Sequence, residues 1–214
     1  MNLASYFDHT NLSPSATKED IRKLCTEAKS YGFFSVCVHP YYVELAKEEL
    51  LGSKVKVATV VGFPLGQNTK EVKAFEADQA VSRGADEIDM VINYAALKDG
   101  DENEAFEDML AVKNACGQAL LKVIIETSEL SEEQMKKACL LARRAGADFV
   151  KTSTGFSSAG AKREDVALMA EVFEGDVKAS GGIRDLKAAM EMIDAGATRI
   201  GASAGVSIVE EERR

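Results

Sequence analysis

Histidine is scarce in this chain, with only His9 and His39 among 214 residues. That argues against a histidine-rich metal centre, and each histidine reads as a hydrogen-bonded structural group rather than a ligand. Cysteine is nearly as rare: Cys25, Cys37, Cys116 and Cys139 are scattered, without a C-x-x-C pair. They read as reduced thiols packed like small apolar side chains. Positive charge is in deficit too, with 26 Lys and Arg against 35 Asp and Glu and a net charge of -9. Such a balance argues against nucleic acid as a partner, because phosphate contacts need a basic face. No apolar run approaches a membrane span, and the N-terminal residues lack the basic and apolar regions of a signal peptide. The expectation is a cytoplasmic protein with no membrane partner, in which any anionic ligand is held by local groups.

What is present is a regular alternation. At 46% hydrophobic, the chain can bury a substantial core, and residues 1–214 are expected to form one domain. Short apolar runs occur near Tyr6 to Asp8, Phe33 to Val38, Val55 to Val61, Glu87 to Ile92, Leu120 to Ile125, Phe149 to Lys151, Val177 to Ala179 and Arg199 to Gly201. Between them, sets such as Ile21/Leu24/Cys25/Ala28 and Met135/Ala138/Cys139/Ala142 keep the i, i+3, i+4, i+7 spacing of one buried helix face. Ser131 with Gln134 reads as a capping box. A tripeptide recurs before three of the strands: Gly84-Ala85-Asp86, Gly146-Ala147-Asp148 and Gly196-Ala197-Thr198. Each glycine stands where a helix closes. Eight strands alternating with eight helices predict an α/β fold of the (βα)8 TIM-barrel type. An open doubly wound sheet would have fewer strands and a Gly-rich first turn, which Asp8-His9-Thr10-Asn11 is not.

Three charges interrupt the apolar strands: Asp89 in Glu87 to Ile92, Lys151 in Phe149 to Thr152, and Lys178 in Val177 to Ser180. Burying an unpaired ammonium costs several kcal/mol, so a common explanation is needed. Alternation along a strand turns Ile88, Met90 and Ile92 toward the helices and Asp89 toward the barrel interior, with Lys122 a further candidate interior charge. Lys151 and Lys178 lie on successive strands and should be neighbours where barrel active sites form. One reading is a structural ion network. The functional one is amine chemistry: an ordinary lysine is neutral only about one part in 10³ at pH 7, and a second ammonium beside it, with desolvation, lowers its pKa. Small residues in Gly181-Gly182-Ile183 and Gly201 to Gly205 follow the last two strands, where barrels commonly bind phosphate.

These motifs together resemble the deoxyribose-phosphate aldolase family. The resemblance runs from about residue 6 to residue 205, through Asp8-His9-Thr10, Val36 to Val38, Val61 to Gly66, Asp86 to Val91, Lys122 to Thr127, Val150 to Gly155 and Val177 to Arg184. It implies a class I aldolase that reversibly cleaves 2-deoxy-D-ribose 5-phosphate to acetaldehyde and D-glyceraldehyde 3-phosphate without metal or other cofactor, in deoxynucleoside sugar catabolism. By motif, Lys151 is then the Schiff-base lysine, Lys178 the lysine that tunes it, and Asp89 the group that moves protons. Asp8 and Thr10 take supporting roles, and Gly155, Gly181, Gly182 and Ser203 surround the phosphate. Homodimers or larger homo-oligomers are usual in the family. Two departures stand out: Ala204 replaces a frequent second serine, which predicts weaker phosphate binding, and the sequence ends without the tyrosine of some longer members. A transaldolase-like or keto-acid aldolase, or a phosphosugar-binding barrel without catalysis, are the rival readings.

Overall fold

The computed structural model describes residues 2–214. Met1, the first residue of the expected domain, lies outside them. The strands are β1 (Phe7–Asn11), β2 (Ser35–Val38), β3 (Lys56–Val61), β4 (Glu87–Val91), β5 (Leu120–Ile124), β6 (Phe149–Lys151), β7 (Asp176–Ser180) and β8 (Arg199–Ala202). They pair in parallel and in sequence order, and β8 returns to β1 to close the barrel. Outside lie α1 (Lys18–Tyr31), α2 (Val43–Glu49), α3 (Lys70–Ser82), α4 (Tyr94–Lys98), α5 (Glu102–Ala115), α6 (Glu132–Arg144), α7 (Arg163–Phe173), α8 (Leu186–Asp194) and α9 (Gly205–Glu212).

This is the expected TIM barrel, with one more α-helix than eight among the described residues. The addition lies between β4 and β5, where Asn93 caps α4, Gly100 turns at φ 80°, and Asp101 caps α5. The two Asx caps, Asn93 and Asp101, start two helices rather than one. The first strand also runs further than expected. His9, Thr10 and Asn11 pair with Val36, Cys37 and Val38, so the polar stretch is strand and not turn.

Two apolar layers follow from strand alternation. Outward residues, among them Ile88, Met90, Ile92, Leu121, Val123 and Val150, join the buried helix faces in one continuous cluster. Each such aliphatic side chain stabilises the fold by roughly 1.5–3 kcal/mol when fully buried. Inside, Leu12, Cys37, Ala58 and Val60 form a small separate cluster, with Phe63 against it. All four cysteines are buried as free thiols. The Ser131 and Gln134 side chains cap α6 reciprocally, as expected.

The recurring tripeptide has a physical basis. Gly84, Gly146 and Gly196 adopt φ 104°, 79° and 112° at the ends of helices, a region that favours glycine. The following aspartates then tie neighbouring strands at the N-terminal face: Val57 donates its N–H to Asp86 at 2.9 Å, and Leu121 to Asp148 at 2.8 Å. No helix among the described residues is long and apolar enough to cross a membrane.

Candidate active site

The barrel interior holds seven charged side chains. Asp8, Glu87 and Asp89 supply three carboxylates; Lys122, Lys151, Lys178 and Arg199 supply four cations. Asp89 is the hub. Its Oδ2 accepts from Lys151 Nζ at 2.9 Å and from Lys178 Nζ at 2.8 Å, and its Oδ1 accepts from Lys122 Nζ at 2.8 Å. Lys178 also reaches Asp8 at 2.5 Å, and Lys122 reaches Glu87 at 2.5 Å. Below them, Arg199 joins Asp8 at 2.7 Å to Glu87 at 3.2 Å and lies over the Phe34 ring. The strand register accounts for the convergence, since Asp89 is level with Lys122 and Lys151 is level with Lys178.

Four cations against three carboxylates leave one cation undercompensated. Lys151 is that group, because its single carboxylate contact is to an oxygen it shares with Lys178. Burial pulls its pKa down, Asp89 pulls it up, Lys178 pulls it down again, and the result is a pKa below the ordinary lysine value. Burial also works against Lys178 and Lys122, yet the carboxylates of Asp8 and Asp89 for the first, and of Asp89 and Glu87 for the second, raise both. Asp89 and Asp8 would be raised by burial, but the surrounding ammonium groups hold both well below the usual carboxylate range. The network contains one poised amine and two firmly charged ones.

Access separates the two lysines further. A cavity of about 790 Å³ opens at the C-terminal ends of the strands, and Lys151 lies on its wall. Lys178, Asp89 and Asp8 are fully buried beneath it. Of the expected site residues, Thr10, Gly155, Gly181, Gly182 and Ser203 also line this cavity. Thr10 donates its hydroxyl to the Asp8 carbonyl at 2.8 Å, a bond within its own strand. Gly155, Gly181 and Gly182 have φ of 85°, 86° and 78°, and Ser203 and Ala204 lead into the N-terminus of α9. Exposed amides and a helix dipole suit an anion there. Both histidines are hydrogen-bonded, as expected: His9 Nε2 meets Glu27 at 2.8 Å, and His39 Nε2 meets the Leu12 carbonyl at 3.0 Å.

Three participants escaped sequence reasoning. Glu87 shares strand parity with Asp89, so alternation alone places it inside; Arg199 was readable as a charge opening a buried strand. Replacing Arg199 with methionine is expected to destabilise the fold by about 3 kcal/mol, because two buried carboxylates each lose one of their cationic partners. Urea unfolding checks this. Gly160 carried no signal. Its Cα faces Gly181, and a Cβ there would strike the Gly181 backbone. Gly160→Ala should therefore raise the KM for an anionic substrate roughly tenfold by displacing the β7 loop, which steady-state kinetics would read.

Fold and site together define a class: a (βα)8 barrel with a poised lysine on the wall of an anion-suited cavity, the arrangement of amine catalysis on a carbonyl compound. Residues 3–210 match the family described as DeoC/LacD family aldolase. The deoxyribose-phosphate aldolase of Clostridium tetani (strain Massachusetts / E88) is 58% identical, over 100% of this chain and 100% of its own. That of Bacillus subtilis (strain 168) is 57% identical over 99% of this chain and 96% of its own. The tetrameric deoxyribose phosphate aldolase of Aeropyrum pernix superposes with a TM-score of 0.90 at 37% identity, over 99% of this chain and 91% of that one. The chain belongs to the DeoC/LacD aldolase family.

Proposed function

We propose that this chain, as a single catalytic barrel, reversibly cleaves 2-deoxy-D-ribose 5-phosphate to acetaldehyde and D-glyceraldehyde 3-phosphate through a Schiff base on Lys151. The observation that carries the reading is the asymmetry of the lysine pair. Lys151 reaches the cavity and has its pKa lowered, whereas Lys178 lies buried beneath it with its pKa raised. Two named aldolase relatives above half identity over almost the whole chain supply the substrate.

The amine of Lys151 adds to C1 of the open-chain sugar and water leaves, giving an iminium. The iminium draws the C2–C3 bonding electrons as the C3 hydroxyl loses its proton to a water in the cavity. Glyceraldehyde 3-phosphate departs, and the enamine is protonated at C2 and hydrolysed to acetaldehyde. Asp89, held well below the carboxylate range by three lysines, is a weak base in the free enzyme. Its role is to fix the lysine nitrogens and exchange protons with them at 2.8–2.9 Å. Gly155, Gly181, Gly182 and Ser203 hold the phosphate by backbone amides and one hydroxyl, while Ala204 offers no hydroxyl. Asp8 keeps Lys178 charged, and Thr10 shapes the opposite wall. The Aeropyrum relative is tetrameric, and this chain is read as a homo-oligomer acting on small phosphosugars in the cytoplasm.

The test is a substrate panel with acetaldehyde and glyceraldehyde 3-phosphate measured separately. Equimolar release of both from 2-deoxyribose 5-phosphate supports the reading. Cleavage of a keto acid or ketose in its place would move the chain to a different Schiff-base barrel chemistry.

A further inference from the structure

One buried carboxylate beside the cavity feels the Lys151 charge but makes no ion pair with the lysine network. Glu126 lies two residues beyond β5 and is 2% exposed, with its backbone at φ 56° and ψ 70°. That is the left-handed region, which non-glycine residues seldom occupy without a compensating contact. Among the described residues only Glu174 is another non-glycine case, and it closes α7 as the C-cap, where such a conformation is common. Glu126 ends no helix.

Its side chain turns instead to the loop after β6. Thr154 donates its backbone N–H to Glu126 Oε2 at 3.2 Å and its hydroxyl to the same oxygen at 2.5 Å. The Thr154 hydroxyl oxygen in turn accepts the Phe156 N–H at 3.0 Å. One residue on, Thr127 donates its N–H to the Thr152 carbonyl at 2.9 Å, which keeps the two loops in register. The amides on both sides of Gly155 are thereby engaged internally. Gly155 lies between them on the cavity wall, and among the described residues no protein group accepts its N–H. Burial raises the Glu126 pKa even against the Thr154 bonds. A buried and backbone-strained carboxylate is being kept at one loop.

We infer that Glu126 is a positioning residue for substrate recognition: through Thr154 it fixes the β6 loop so that the Gly155 amide faces the substrate's phosphate. The inference rests on the phosphate placement proposed above. It predicts a change in discrimination between a phosphorylated and an unphosphorylated sugar, which a purely structural residue would not produce.

Glu126→Gly removes the carboxylate while suiting the left-handed backbone, and Glu126→Gln keeps an acceptor oxygen. Both are assayed for kcat and KM with 2-deoxyribose 5-phosphate and with 2-deoxyribose, alongside thermal unfolding. For Glu126→Gly the expected result is an unlowered unfolding midpoint and a roughly tenfold fall in the phosphosugar-over-sugar ratio of kcat/KM, carried by KM. Glu126→Gln should restore most of that ratio. Thr154→Val, which removes the hydroxyl shared by Glu126 and Phe156, should lower the ratio in the same sense and serves if Glu126→Gly does not fold. Equal losses on both sugars, or an unchanged ratio in Glu126→Gly and Thr154→Val, overturn the inference. A wild-type enzyme with no preference for the phosphorylated sugar overturns the phosphate placement itself.

Discussion

Lys151→Ala is expected to lower turnover of 2-deoxyribose 5-phosphate by roughly 10⁴-fold or more, the scale on which enzymes lose activity with their covalent nucleophile. The loss should appear in kcat, and the variant should remain folded. Lys151 makes one ion pair, to Asp89, while Asp89 keeps Lys122 and Lys178. Removing the undercompensated cation leaves three carboxylates facing three cations. Borohydride reduction in the presence of acetaldehyde gives an independent readout. The wild-type protein should acquire an ethyl group on the peptide containing Lys151, and the alanine variant should acquire none. An adduct on the Lys178 peptide in the wild type would reverse the assignment of the two lysines.

Lys178→Leu is expected to move the acidic limb of the kcat/KM pH profile upward by about 2 units. Both ammonium nitrogens bind Asp89 Oδ2, at 2.9 and 2.8 Å, so they stand within about 6 Å of each other. At an effective dielectric of about 20, that separation corresponds to roughly 3 kcal/mol of repulsion, or about 2 pKa units. The sign follows from which form is reactive. Lys178 opposes protonation of Lys151, so its removal raises the Lys151 pKa and shrinks the neutral fraction at pH 7. Freed Asp8 and Asp89 charge acts in the same direction. Below the shifted limb, kcat/KM should fall about 10²-fold, and raising the pH should recover it. A low activity that is flat with pH would mean that Lys178 does something other than tune its neighbour. Thermal unfolding run in parallel separates this from simple loss of the fold, since two buried carboxylates lose a partner.

How much was legible in the sequence depended on the range of the interaction. The helix faces, the Ser131 cap and the closing glycines are local, and they stand where periodicity and turn chemistry put them. Asp89 and the two lysines were legible because alternation in short apolar strands leaves an interior charge nowhere else to go. The extra helix between β4 and β5 was not, because it turns on two Asx caps that read equally well as loop. Gly160 and Glu126 were silent because their importance comes from chain segments more than twenty residues away, Gly181 for one and Thr154 for the other.

The sequence by itself therefore determined the barrel, the identity of the interior charges and the family whose chemistry they serve, since each follows from patterns repeated along the chain. The motif resemblance already names Lys151 as the Schiff-base lysine, but the physical ground for ranking the pair comes only from the tertiary structure. Both lysines sit on equivalent strands in similar apolar runs, and hydrophobic patterning alone does not rank them. Closure of the barrel places Lys178 between Asp8 and Asp89 beneath the cavity and leaves Lys151 at its wall with a share of one carboxylate. Unequal pairing and unequal access distinguish two residues that their apolar runs leave alike, and they are the physical basis of the roles proposed for them.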